Sequence, residues 1–201
     1  MDCTTFKSGE ELYSLSVEGD ESAFEELVKL YRKGLTRYIY SFVNDAREAE
    51  ELMIDAFAEL IAGAGYKGRS SIKTYIFAIG RNIALRHVKK YRRIGVIPIE
   101  EIADEAVSFS DLPETDFIRE DERSRLFITM RKLKQEYREV LYLIYFEEMS
   151  YSDAGAAMRK TVSQVKNLAH QAKLSFRNIM ESEGAGNEKR QGSGQRGFAS
   201  G

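Results

Sequence analysis

The residues best suited to chemistry lie between Tyr66 and Arg93, in the stretch YKGRSSIKTYIFAIGRNIALRHVKKYRR. It carries Lys67, Arg69, Lys73, Arg81, Arg86, Lys89, Lys90, Arg92 and Arg93, with no Asp or Glu among them. Rings are interleaved at Tyr66, Tyr75 and Phe77, with Tyr91 near the end. Cations attract a phosphate backbone, and aromatic faces offer stacking platforms for unstacked bases. The pattern points to contact with opened or single-stranded nucleic acid; a solvated cationic helix with an aromatic core face is the plainer alternative. Asn82, Arg86, Lys89 and Arg93 recur at i, i+4, i+7 and i+11, on one helical face. Asn82 matters there because a carboxamide can make paired donor and acceptor contacts with a base edge.

A second constellation precedes it. Glu48, Glu51, Asp55 and Glu59 fall at i, i+3, i+7 and i+11, beside an apolar stripe of Ala49, Leu52/Met53, Ala56/Phe57 and Leu60. This is either a solvated face or a docking surface for a basic partner. The third lies near the C-terminus, where Ser150-Tyr-Ser-Asp153 opens a short helix ending near Met158. Thr161-Val-Ser-Gln164 then caps a longer one. A short helix, a brief turn and a longer helix make a helix-turn-helix. Its second helix exposes Ser163, Lys166, Asn167, His170 and Lys173, the part expected in a major groove.

The elements that position these groups read as helical. Two prolines, no glycine cluster before the tail and long 3.6-residue apolar periodicity predict an all-α chain. Two small helical domains are expected, joined by a flexible acidic linker. The boundaries are a polar segment over 1–19, a first domain over 20–94, a linker over 95–122, a second domain over 123–181 and a disordered tail over 182–201. The first long helix starts after Asp20 or Ser22, where Ser22-Ala-Phe-Glu25 fits a capping box, and its core stripe runs from Phe24 to Phe42. Asn44-Asp45 ends that helix, and Asp45 caps the next. The linker holds both prolines, Pro98 and Pro113, and no sustained period; Ile97, Ile99 and Ile102 could tack it onto a domain. Each side has its own apolar periodicity, so the domains are expected to be structurally independent.

The formal net charge is −2, but its distribution is uneven. Residues 1–59 hold 6 basic and 14 acidic side chains, residues 60–99 hold 9 and 0, residues 100–123 hold 2 and 10, and residues 124–201 hold 13 and 8. Two basic surfaces separated by acid are implied. The one cysteine, Cys3, excludes an internal disulfide, and His87 and His170 are isolated, so no metal or other cofactor is expected. No apolar run approaches the ~20 residues of a membrane span and no signal peptide is apparent, so a cytoplasmic protein without membrane insertion is expected. From the residues alone, a helix-turn-helix regulator of duplex DNA and a nuclease or phosphotransferase remain as alternatives. The former leaves the acidic stripe and the aromatic basic helix without purpose. The latter needs convergent carboxylates or histidines that are not found.

GDESAFEELVKLY, AREAEELMIDAF and the basic stretch together resemble the promoter-melting domain of the small sigma factors of bacterial RNA polymerase, most closely the extracytoplasmic-function group. LKQEYREVLYLIYFEEMSYSDAGAAMRKTVSQVKNLAHQAKLSF is similar to that group's C-terminal helix-turn-helix domain. The resemblance spans roughly residues 18 to 180. It implies a non-enzymatic factor that binds core RNA polymerase and promoter DNA, with an anti-sigma protein as a further partner.

By the same resemblance, Glu48, Glu51 and Asp55, with Leu52 and Phe57 beside them, would dock on the polymerase. Tyr66-Lys67-Gly68-Arg69-Ser70-Ser71 would receive a base flipped out of the −10 element. Lys73, Thr74, Tyr75 and Phe77 would lie in the strand-melting segment, and Arg81, Asn82, Arg86, Lys89 and Lys90 on the −10 helix. Thr161, Ser163, Gln164, Lys166, Asn167, His170 and Lys173 would face the −35 element. The departures are Ile54 for a usual glutamine, Tyr75 for tryptophan, Ala154-Gly155 for Ile-Ala, Arg159 for glycine, and Leu168 and Gln171 for arginines. Two lost cations could flatten the salt slope by up to ~2 units.

Overall fold

The computed structural model describes residues 7–62, 65–94, 126 and 128–192. Seven helices are named here in chain order: α1 (Gly9–Val17), α2 (Glu21–Val43), α3 (Ala46–Ala62), α4 (Ile72–Ile94), α5 (Gln135–Leu141), α6 (Tyr151–Met158) and α7 (Val162–Gly192). No strand occurs among the described residues. The expected linker, with its prolines and isoleucines, lies outside them.

The helix boundaries follow local chemistry. α1 departs from expectation: Ser8 and Glu11 form a reciprocal capping box within the segment whose composition reads as merely polar. α2 is capped by Asp20, whose carboxylate accepts from Ala23 N at 3.1 Å; Ser22 donates its hydroxyl to the same carboxylate and is not the cap. Asp20 wins because its charged side chain reaches the free N–H and favours the positive helix end. Asn44, in the left-handed region at φ 57°, stops α2, and Asp45 accepts from Glu48 N at 2.7 Å to start α3. The backbone of α7 runs on to Gly192, well past Met180, where the sequence pattern predicts its end. Extending a nucleated helix costs little, and Glu181, Glu183, Glu188 and Lys189 favour the extension while Gly184 and Gly186 oppose it; residues 193–201 lie outside the described part.

α1 to α4 form the first bundle. α2, α3 and α4 pack mutually, and Leu27, Leu35, Ile39, Leu60, Ile72 and Ile76 are fully buried between them. α5 to α7 form the second around Val140, Leu143, Met158, Val165 and Ala172. Between α5 and α6 the chain widens into a π turn, Tyr142–Phe146, ended by Glu148 at φ 53°.

Two departures from the resembled pattern meet at the helix-turn-helix corner. Arg159 occupies the left-handed region at φ 55°, where glycine is at ease. Lys160 folds back so closely that a Cβ on residue 155 would lie 2.7 Å from its carbonyl oxygen, so Gly155 is required there.

The two bundles do not stand apart. α4 packs along α6, and α2 along α5, so the buried residues form one continuous cluster. Tyr142 donates to the Gly34 carbonyl across this seam at 3.1 Å, and a side chain at Gly34 would collide with the Glu147 carboxylate. Periodicity reveals an apolar face on each helix but not which bundle covers it.

Candidate nucleic-acid interface

Ser71 starts α4 by accepting from Thr74 N at 3.1 Å, and Glu10 of α1 accepts from Ile72 N at 3.0 Å. The acid cap favours the positive end of the dipole of a helix that has no acid of its own. Ahead of it, Tyr66 donates to the Ser70 carbonyl at 2.7 Å, closing the loop on itself. Its ring lies between Tyr13 and Tyr75, with centroids 5.2 and 5.3 Å away. Gly68 adopts φ 65°, and Lys67, Gly68 and Arg69 are exposed at the loop tip. The loop is thus an exposed cationic tip on an aromatic base. Glu10 and Tyr13 sit in the N-terminal polar segment, and nothing in their spacing ties them to the loop.

Along α4 the sequence-identified residues divide. Asn82 is partly exposed, and Arg86, Lys89 and Lys90 reach solvent. Arg86 pairs with Glu59 at 3.1 Å and His87 with Glu48 at 2.9 Å, tying the basic face to the acidic stripe of α3.

The earlier turns are covered by the second bundle. Phe77, by contrast, is 0% exposed in the core of the first bundle itself, its ring 5.3 Å from that of Tyr38 on α2. Thr74, 2% exposed, donates to Asp153 at 3.2 Å. Lys73 pairs with the Glu147 carboxylate at 3.0 Å and donates to the same residue's carbonyl at 2.7 Å.

Arg81 donates its Nε–H to Glu139, which is 1% exposed and also accepts from the Tyr38 hydroxyl at 3.1 Å. Burial pushes the Glu139 carboxyl above its usual range, and the bonds from Arg81 and Tyr38 draw it back down. Burial also pushes Glu147 up, opposed mainly by Lys73. Sequence reading misses Glu139, Glu147 and Asp153; the signal available is an acid falling on an otherwise apolar stripe at Glu139.

On α3, Glu51 and Asp55 are exposed, with Glu51 also paired to Arg47 at 3.2 Å. Leu52 and Phe57, grouped with them for docking, face inward; Phe57 meets the Phe24 ring edge-on at 6.3 Å. At 3.6 residues per turn, both fall on the stripe that closes the bundle. The apolar residue displayed among the carboxylates is Ile54, 61% exposed.

Around the start of α7 the structure brings together every residue expected at the −35 element. Thr161, Ser163, Gln164, Lys166, Asn167, His170 and Lys173 are all exposed, while Val165, Ala169 and Ala172 are buried beneath them. Thr161 and Gln164 complete the reciprocal cap at 2.8 and 3.3 Å. Lys166 lies 5.9 Å over the Tyr151 ring and Lys173 5.1 Å over Tyr145. Leu168 packs against the core, so it serves packing where an arginine would have served phosphate. Among the described residues no group of His, Cys, Asp or Glu is arranged to hold a metal, and no helix is long and apolar enough to cross a membrane.

Comparison with known proteins accords with this layout. Residues 27–94 match the family Sigma-70 region 2, and residues 129–175 match Sigma-70, region 4. The chain is 28% identical over 177 residues to the RNA polymerase sigma-H factor of Pseudomonas aeruginosa, covering 84% of this chain and 92% of that protein. It is 21% identical over 168 residues to the ECF RNA polymerase sigma factor SigW of Bacillus subtilis, covering 80% and 90%.

Two solved structures share the fold at 21% identity. One is CnrH in complex with the cytosolic domain of CnrY, with a TM-score of 0.62 over 85% of this chain and 96% of that one. The other is the sigma factor RpoE with the anti-sigma factor NepR from Bartonella quintana, with a TM-score of 0.60 over 79% and 96%. With both sigma-70 regions present in order and joined across one chain, the protein belongs to the sigma factors of RNA polymerase, of the extracytoplasmic-function type, which direct the polymerase to promoters.

Proposed function

We propose that this chain works through three surfaces in one initiation event, as a non-enzymatic factor in the bacterial cytoplasm. The exposed face of α3, Glu51 and Asp55 around Ile54, docks on core polymerase. The loop 66–71 and α4 take the −10 element, with Arg86, Lys89 and Lys90 on phosphates, Asn82 on a base edge and the loop receiving an extruded base. The N-terminal turns of α7 enter the major groove at the −35 element, where Ser163, Asn167 and His170 meet base edges and Lys166 and Lys173 meet phosphates.

Opening a duplex costs unpairing and unstacking, and each base stacked on a ring returns roughly 1–3 kcal/mol. The rings at hand are Tyr66 and Tyr75 beside the loop, both partly exposed, while Phe77 is buried in the first bundle's core. A single observation carries this reading: the exposed residues of α4 and those of α7 form two separate cationic surfaces on one chain, with an acidic face preceding them on α3. The solved complexes of CnrH with CnrY and of RpoE with NepR support a protein partner of the anti-sigma kind here too.

Sequencing the 5′ ends of RNA made by core polymerase with and without this protein tests the reading. New, discrete 5′ ends preceded by a shared pair of elements are expected. Identical end profiles in the two reactions would end it.

A further inference from the structure

None of the three proposed surfaces includes α1, yet α1 holds both ends of the loop that receives a base. Glu10 accepts from Ile72 N at 3.0 Å, where the loop passes into α4. The Tyr13 ring meets Tyr66 edge-on at 5.2 Å, where the loop begins. These two residues stand at i and i+3, so one face of one helix grips the loop at entry and exit. A different stripe attaches α1 to the bundle: Gly9, Leu12 and Ser16 are buried. Gly9 lies against the Tyr31 hydroxyl of α2, where any side chain would collide. Packing thus falls to one stripe, and the neighbouring one is left for the loop.

The grip is on the groups that a base would meet. Tyr66 is flanked by Tyr13 on one side and Tyr75 on the other, and its hydroxyl closes the loop on the Ser70 carbonyl at 2.7 Å. Burial, and after it the Glu10 carboxylate, push the Tyr66 phenol above its ordinary range, so it keeps the proton that it donates. The tip, Lys67 to Arg69, is exposed and carries the charge, while the rings at the base set the shape. Turning Tyr66 would change the face offered to a base without altering any cation.

We propose that Glu10 and Tyr13 are positioning residues for base selection. They hold Tyr66 and Tyr75 in the geometry that accepts an extruded base, so the loop's preference depends on two side chains that do not touch DNA. The proposal rests on the reading of 66–71 as the base-receiving loop. Losing Glu10 and Tyr13 removes no cation and no polar group from the exposed face of α4. Phosphate contacts and the Asn82 contact therefore stay, and only the preference of the loop falls.

The test uses holoenzyme assembled from core polymerase and the full chain, with a promoter mapped by 5′-end sequencing whose −10 element is randomised. Transcripts from the pool give base preference position by position. Tyr66→Ala marks the positions that the loop reads, and Asn82→Ala marks those that α4 reads. Glu10→Ala combined with Tyr13→Ala should reduce preference at the Tyr66 positions about fivefold, since a cap and an aromatic pair are each worth a few-fold. The Asn82 positions should stay as in the wild type. Glu10→Gln combined with Tyr13→Phe keeps an acceptor oxygen and the ring, and should restore most of the preference. Glu10→Ala alone, at an exposed carboxylate, should show the same bias at smaller size, and it decides the matter if the alanine pair fails to fold.

Three results overturn the positioning role alone: unchanged preference at the Tyr66 positions, an even fall across the Tyr66 and Asn82 positions, or a conservative pair no better than the alanine pair. A Tyr66→Ala holoenzyme with wild-type preference at every position would overturn the base-receiving reading of the loop, and the positioning role with it.

Discussion

α4 and α7 are both cationic helices assigned to promoter DNA, and the fold treats them in opposite ways. Every residue of α7 expected to face DNA is at the surface, above a buried stripe of Val165, Ala169 and Ala172. On α4 the later turns are open, whereas Thr74 and Arg81 bond acids of the other bundle and Phe77 is buried in α4's own bundle beside Tyr38. The difference follows from the two tasks. Reading a duplex groove needs polar side chains that water already solvates, so a finished, exposed surface costs nothing to display. Handling an unpaired base needs rings and half-desolvated cations, and a ring left in water without a base is a liability. A surface for opened DNA is best kept covered until it is used, and the free energy of uncovering it falls on the binding partner.

The comparison can be broken first at Glu139. Glu139→Ala leaves the Arg81 guanidinium and the Tyr38 hydroxyl in the seam with their shared acceptor gone. Removing one partner of a buried ion pair costs about 3–5 kcal/mol. Chemical denaturation should show a loss of that size. By contrast Glu51→Ala, which removes the exposed partner of Arg47, should change stability by less than about 1 kcal/mol. Equal small losses at both positions would mean that the seam contributes nothing to the folded state.

Asn82 tests whether the half-open face of α4 reads sequence. Asn82→Ala should relax base preference within the −10 element at a cost of about 1–3 kcal/mol, measured by selection from randomised promoters. Preference left intact would move base reading elsewhere on the chain.

Phosphate contacts sharpen the contrast from the other side. Lys89→Ala on α4 and Lys166→Ala on α7 should each weaken holoenzyme binding evenly across sequences and lower the salt slope by about one unit. Titrating binding against salt separates this from a change of specificity.

The smallest effect concerns the corner that sets α7. Arg159 holds φ 55°, a conformation costing a non-glycine residue roughly 1–2 kcal/mol. Glycine relieves that strain, but it also loosens the unfolded chain, which offsets part of the gain. Arg159→Gly should therefore raise the thermal midpoint slightly, by a net gain below about 1 kcal/mol. Gly155→Ala, pressed against the Lys160 carbonyl, should lower it. A calorimetric scan of both proteins tests the pair together.

Much of this architecture is legible in local spacing. Asp45 and the reciprocal Thr161–Gln164 cap are set by side chains that bond backbone groups within one turn, so their spacing announces them. Other local choices are ambiguous because two candidates lie close together: Asp20 takes the cap that Ser22 could have filled. The docking face is half legible. Its carboxylates follow from the helical period, but period also places Leu52 and Phe57 beside them without saying that these close the bundle and that Ile54 is displayed.

What the sequence determined by itself is what depends on neighbours in the chain: the helices, their caps, the alternation of charge and the faces that carry DNA-binding chemistry. What only the tertiary structure decided is which of those faces meet each other. Glu139 lies 58 residues beyond Arg81 and 101 beyond Tyr38, yet one carboxylate oxygen serves both. No local period encodes that meeting, because a buried cation's choice of acid is settled by packing of whole helices and the desolvation that packing imposes. The same helix that spacing reveals as a DNA surface is thereby, in the folded chain, partly a surface for the protein itself.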